Sequence, residues 1–180
     1  MRVIGIDPGA EGGFCCIDYQ FGGMTVVMAC MIPFWKPQRK RLVESRNLGA
    51  LFREAILYIG NNLSTNTTPQ TVFVIEDIAT ANASGAGGKV GAFSSGRTLG
   101  AIEATAGRFG NPVYWVTPDQ WKKKMGLIGG SKQDSIDLAT ARFGTEVAEK
   151  YWPLKKHDGI AEAALIAAYW IEKFGGRTPA

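Results

Sequence analysis

Asp7, Glu76, Asp158 and Glu162 are the residues of this 180-residue sequence whose types and positions suit shared chemistry. Asp7 ends the run Val3-Ile4-Gly5-Ile6, and Glu76 ends Thr71-Val72-Phe73-Val74-Ile75. Asp158 and Glu162 stand at the head of a stretch, Ile160 to Trp170, that is apolar almost all round. Each has a plain structural alternative. Asp7-Pro8-Gly9 is a good turn tripeptide. Glu76 could be a solvated strand end. Asp158 could be a helix N-cap, with Glu162 answering the helix dipole. A capping box does not explain the last pair, because its acid belongs at N3, which is Ala161 if Asp158 caps. Two carboxylates four apart share a helix face and repel unless a cation or a proton lies between them. One explanation covers all four acids: an all-oxygen pocket for Mg²⁺, with Mn²⁺ able to substitute. Two such ions about 4 Å apart clamp the attacking and leaving oxygens in phosphoryl transfer. His157 is the sole histidine, which excludes His-rich zinc sites and any mechanism that needs two histidines.

The elements that must position these acids can be read from spacing. Val3–Ile6, Gly12–Ile17 and Thr25–Met31 read as three strands in succession, an antiparallel meander. Pro33 to Arg41 reads as an exposed basic loop. Leu48, Leu51, Phe52, Ala55, Ile56 and Ile59 follow helical spacing, closed by Gly60-Asn61-Asn62. Thr71–Glu76 and Val113–Val116 are further strands. The Gly-rich stretch Ala79–Gly96 suits a mobile binding loop, and the helix through Phe109 begins at Leu99 or as early as Lys89. Thr117-Pro118 starts a short helix, Ser131 starts another through Phe143, and the last spans 158–173. Period two puts Val3, Gly5 and Asp7 on one strand face, and Val72, Val74 and Glu76 on one face of the other. The order β-β-β-α-β-α-β-α-α-α predicts an α/β fold: a mixed sheet, meander then parallel strands, with helices on both faces and one domain over 1–180.

Composition narrows the function classes. Apolar residues make up 46% of the chain, enough for a packed core. No apolar run suits a membrane span. Cys15, Cys16 and Cys30 form no zinc pattern and read as buried thiols of a reducing cytoplasm. The net charge of +4 points to an anionic partner. Candidate phosphate contacts are Lys36, Arg39, Lys40, Arg41, Lys89, Arg97, Lys122, Lys123, Lys124 and Lys132. Any one of them could be plain solvated surface, but Lys132 follows Ser131 at a helix N-terminus, where backbone amides favour an anion. Trp115 and Trp170 read as core. Phe34-Trp35 and Tyr151-Trp152 suit either base stacking or an interface.

Gly5-Ile6-Asp7-Pro8-Gly9, Val74-Ile75-Glu76 and the ending His157-Asp158-Gly159-Ile160-Ala161-Glu162 together resemble the RuvC-type Holliday-junction resolvases of the RNase H-like superfamily. Trp121-Lys122-Lys123-Lys124 and Gly129-Gly130-Ser131-Lys132 resemble that family's basic segment and the start of its next helix. The resemblance runs through nearly the whole chain in order. It implies an RNase H-like fold and a homodimer that nicks two strands of a four-way DNA junction. It also implies divalent metal on Asp7, Glu76, Asp158 and Glu162, with Lys122 and Lys132 near the scissile phosphate. The sequence departs from the family in two places. Cellular members end in acids, or a His and an Asp, three apart, whereas here Asp158 and Glu162 are four apart with His157 adjacent, an ending more like phage-borne relatives. The family's aromatic after the strand glutamate is replaced by Ile78 and Ala79, which leaves Phe93 as the nearest candidate. Two other readings stand beside this one. Gly5-Ile6-Asp7-Pro8-Gly9 also resembles the first phosphate loop of sugar kinases and actin-like ATPases, and the acids could be structural in a non-catalytic junction-binding protein.

Overall fold

The computed structural model describes residues 1–9, 11–35, 42–58, 69–78 and 88–175, the side chains of 35 and 88–90 excepted. Strands β1 (Arg2–Asp7), β2 (Gly13–Gln20) and β3 (Gly23–Met31) form the expected meander. A small ribbon follows, β4 (Phe34–Trp35) paired with β5 (Leu42–Val43). Its presence corrects the reading of 33–41 as loop throughout; the basic residues 36–41 lie outside the described residues. Helix α1 (Ser45–Leu57) leads to β6 (Thr71–Glu76), α2 (Gly88–Gly107) and β7 (Val113–Val116). Then come α3 (Pro118–Met125), α4 (Lys132–Phe143), α5 (Thr145–Tyr151) and, after a 3-10 turn, α6 (Asp158–Phe174). The glycine-rich segment is therefore helical from Gly88, and its 79–87 part is outside the described residues, as are Gly60-Asn61-Asn62. Helix α5 was not expected: its seven residues offer only two turns of apolar spacing.

The sheet order is β3-β2-β1-β6-β7, antiparallel through the meander and parallel from β1 to β7. Both faces are covered, as alternation requires. Ile4, Ile6, Phe14, Cys16, Phe73 and Ile75 pack under α1 and α2. Val3, Cys15, Ile17, Val72 and Val74 pack under α6 and the helices beside it. Helix α6 is buried from Asp158 to Ile171 except at Glu162, which explains its nearly continuous apolar run. Glycines set how closely it approaches. A Cβ on Gly5 would sit 2.1 Å from the Ala163 carbonyl oxygen, and one on Gly13 2.1 Å from that of Gly159. The helix backbone thus rests directly on β1 and β2.

Cys15 and Cys16 are buried and Cys30 is half-buried, all as free thiols. Burial pushes Cys16 up to about 12 and Cys30 up to about 11. Trp170 is core, but Trp115 is 39% exposed, because β7 is the edge strand of the sheet. Trp152 is buried and donates its indole N–H to Thr140 Oγ1 at 3.2 Å, so it packs in the core rather than offering a stacking surface.

Candidate active site

Parallel pairing of β1 with β6 puts Ile6 beside Ile75, so Asp7 and Glu76 follow as neighbours at the ends of adjacent strands. Period two aims both at the α6 face, with Val3 and Val74 behind them. The first turn of α6 lies against Asp7: a Cβ on Gly159 would stand 2.9 Å from Asp7 Oδ2. Asp7 is 7% exposed, Glu76 5% and Asp158 7%.

Asp158 does not cap this helix. It has helical dihedrals (φ −53, ψ −40), His157 occupies the cap position, and no side chain makes a capping bond there. This removes the capping alternative for Asp158. The turn alternative for Asp7 holds in part, since the Gly9 amide donates to Asp7 Oδ1 at 2.8 Å. That bond orients one oxygen and leaves Oδ2 facing α6.

Electrostatics tie three of the acids together. Burial, then the charges of Glu76 and Glu162, hold the Asp7 carboxyl well above the usual carboxylate range. Burial also raises Glu76; the Trp121 indole N–H, 2.8 Å from Glu76 Oε1, opposes the rise, and the Glu162 charge adds to it. Glu162 accepts from Ser135 Oγ at 2.9 Å and pairs with Lys122 Nζ at 3.4 Å, both on Oε1. Asp158 Oδ2 pairs with Lys132 Nζ at 2.7 Å, and Glu11 stands 3.6 Å from the same nitrogen. The hydrogen bond to Asp158 is the main cause that raises the Lys132 pKa. The expected face-to-face pair of Asp158 and Glu162 is thus split between two lysines.

As the side chains stand, no group of three or more His, Cys, Asp or Glu among the described residues is arranged to hold a metal ion. The donor set nonetheless fits one. Asp7, Glu76 and Glu162 lie within electrostatic reach of one another, Asp158 precedes the Gly159 that lies against Asp7, and Lys122 and Lys132 supply two compensating charges. Asp158 Oδ1 and His157 Nδ1 are buried without hydrogen-bond partners. Excess negative charge on hard oxygens, with a carboxylate oxygen left unsatisfied, suits Mg²⁺ or Mn²⁺.

The other candidates fall into groups. Lys122 and Lys132 reach the acids. Lys123 and Lys124 line a groove with Gln120, Tyr169, Glu172 and Lys173, beside the far half of α6. At 1.5 Å per residue this is roughly 15 Å from the acids. Arg97 is exposed on α2, its guanidinium 5.8 Å from the centre of the Phe93 ring, and Phe93 is 68% exposed. Lys89 lies in the first turn of α2, with its side chain outside the described residues. Glu11, Trp121 and Ser135 were missed as site residues. Ser135 lies in the first turns of α4, and no local spacing marks it as the partner of Glu162. Trp121 and Glu11 show themselves only through contacts between elements.

No protein-family model matches the sequence, and no curated protein matches it. Solved structures do match. A Thermus thermophilus RuvC structure aligns over 100% of both chains at 19% identity and a TM-score of 0.58. T. thermophilus RuvC in complex with a Holliday junction substrate aligns over 100% of both chains at 17% identity and a TM-score of 0.62. The yeast mitochondrial Holliday junction resolvase Ydc2 covers 94% of this chain and 77% of its own, at 18% identity and a TM-score of 0.52. The fold is the RNase H-like fold of the RuvC-type resolvases, as the sequence resemblance implied.

Proposed function

We propose that this chain is a single-domain, metal-dependent endonuclease that resolves four-way DNA junctions by paired nicks. The observation that carries the reading is the crowding of Asp7, Glu76 and Glu162 at the ends of two central parallel strands, with Asp7 and Glu76 buried and their carboxyl pKa values raised. Ligand sites of parallel sheets lie at such strand ends, and this one sits on a fold shared with resolvases along the whole chain.

Asp7, Glu76, Asp158 and Glu162 would hold Mg²⁺, or Mn²⁺ in its place, with His157 as a further candidate ligand. The bound ion supplies charge that acidifies water and neutralises the phosphate. The chain's own residues do the rest. Trp121 and Ser135 fix one oxygen each of Glu76 and Glu162, leaving the second oxygen of each for the ion. Lys132, 57% exposed at the head of α4, faces incoming DNA, and its ammonium can leave Asp158 for a phosphate oxygen. Lys122 does the same beside Glu162. Lys123, Lys124, Lys89 and Arg97 extend phosphate contacts along the duplex arms.

Two coordinated nicks need two sites, which a twofold homodimer supplies. The support for an interface on α2 is its solvent face. Ala92, Gly96, Gly100 and Ala104 recur every fourth residue and are exposed, beside the exposed Phe93. A Cβ on Gly96 or Gly100 would meet no atom within 4 Å. Among the described residues no helix is long and apolar enough to cross a membrane, and the reading places the enzyme in the cytoplasm, with its DNA.

The test is a labelled four-way junction incubated with the protein, with and without Mg²⁺. Paired nicks that require the metal support the proposal. Binding without cleavage returns the chain to a non-catalytic junction binder, and no binding at all leaves the nucleotide-binding alternative.

A further inference from the structure

Lys132 Nζ stands between two carboxylates, 2.7 Å from Asp158 Oδ2 and 3.6 Å from Glu11 Oε2. Asp158 belongs to the acid cluster, whereas Glu11 has no part in the chemistry described so far. We infer that Glu11 is a positioning residue for Lys132: it takes over the ammonium when a divalent cation claims Asp158, so the lysine stays beside the scissile phosphate without competing with the cation. The inference rests on the metal-dependent reading above.

Three elements meet at this ammonium. Lys132 is the first residue of α4, Asp158 is the first of α6, and Glu11 lies between β1 and β2. The Glu11 side chain is half-exposed, but its backbone is held tightly. The Gly12 amide donates to the Gly9 carbonyl at 2.9 Å. A Cβ on Gly12 would stand 2.2 Å from the Asp7 carbonyl oxygen, and one on Gly159 would stand 2.3 Å from that of Glu11. The backbone around Glu11 is thus wedged between the end of β1 and the first turn of α6, with room for glycine alone at either contact. Docking of α6 therefore brings Glu11 and Asp158 to the same lysine.

Charge supplies the reason for a second carboxylate. Asp158 Oδ1 is buried without a partner, and Oδ2 holds Lys132. A cation that binds this carboxylate meets a like charge already seated on it, and the two oppose each other. The lysine has to give way. With Asp158 as its one partner it would be released to water and regain its rotamer freedom. Glu11 lies on the solvent side, 50% exposed against 9% for the Asp158 side chain, and receives the ammonium after a small rotation. An exposed ion pair of this kind is weak, which suits a seat that must yield the lysine to a DNA phosphate. Asp158 first, and Glu11 after it, raise the Lys132 pKa, so the side chain stays charged in either seat.

The experiment titrates Mn²⁺ into the DNA-free protein and reads free Mn²⁺ by electron paramagnetic resonance. The proteins are wild type, Glu11→Gln, Lys132→Met and the double variant, with a melt in EDTA to check that each is folded. Lys132→Met should bind Mn²⁺ about tenfold more tightly, the worth of one charge-assisted hydrogen bond. Glu11→Gln should bind Mn²⁺ about fivefold more weakly, the upper end for an exposed ion pair, because Lys132 then stays on Asp158. Adding Glu11→Gln to Lys132→Met should change nothing further, which separates a seat for the lysine from a general effect of charge. On a four-way junction, Glu11→Gln should need about fivefold more Mg²⁺ for half-maximal cleavage and approach the wild-type rate at saturation. An equal loss of Mn²⁺ affinity with and without Lys132, no loss in either background, or no gain in Lys132→Met overturns the inference and leaves the metal-dependent reading standing. Failure of all four proteins to bind Mn²⁺ overturns both.

Discussion

Asp7 carries a charge that the metal-free protein resists. Its folded carboxyl pKa lies above the unfolded value of about 4, so the folded state holds a proton that the unfolded state has released. Stability is then full below the unfolded pKa and falls as pH rises towards the folded one. Asp7→Asn removes that loss. In EDTA at pH 7 the variant should melt a few degrees above wild type, at about 2–4 °C per kcal/mol for a chain of this size, and the gap should close near pH 4. The same variant should bind junctions at least as well as wild type and cut them at least ~100-fold more slowly, since losing even an outer-shell partner costs 10–100-fold. Cleavage at near wild-type rate would leave Asp7 as a turn residue only. Glu162→Gln should damage activity more than Asp158→Asn, because Glu162 shares the Asp7–Glu76 cluster while Asp158 sits with Lys132. Melts with and without Mn²⁺ check this: the stabilisation by Mn²⁺ should vanish in Glu162→Gln and shrink in Asp158→Asn. Trp121→Phe should lower cleavage roughly tenfold by freeing Glu76, at unchanged junction affinity.

At the scale of elements, the site depends on how closely α6 lies on the sheet. Gly13→Ala would drive a methyl into the Gly159 carbonyl, the turn that carries Asp158 and Glu162. It should cost about 3 kcal/mol, a drop in Tm of roughly 6–12 °C, together with activity. Gly107→Ala, at the last residue of α2 with open space around it, serves as the glycine control for activity. These elements explain what could be read beforehand. Strand alternation fixes which face Asp7 and Glu76 take. The unbroken apolar run after Asp158 fixes a buried helix that must cover that face. Pairing across the gap between Trp121 and Glu76, or between Lys132 and Asp158, depends on the angle at which α3 and α4 pack, and no local pattern encodes that. Trp115 was misjudged for a related reason, since apolar character alone does not tell an edge strand from a central one.

The proposed dimer belongs to the whole molecule. Gly100→Glu puts a charge on the exposed face of α2 and improves helix propensity by roughly 0.5–1 kcal/mol. The monomer should stay folded while sedimentation at micromolar concentration shifts from dimer to monomer. Resolved products should then give way to single nicks. Wild type that sediments only as monomer, with junction present, would sink the paired-site arrangement. One further consequence follows from α6 lying across β1. Asp7 is in the first strand and Glu162 in the last helix, so the acid cluster draws on segments made at very different times. At about 5–20 residues per second of synthesis, roughly 8–30 s separate the two acids on the ribosome. During that interval β1 and β2 lack the helix that covers them. A half-made chain therefore holds only part of the acid cluster, and its apolar sheet face stays bare until α6 is made.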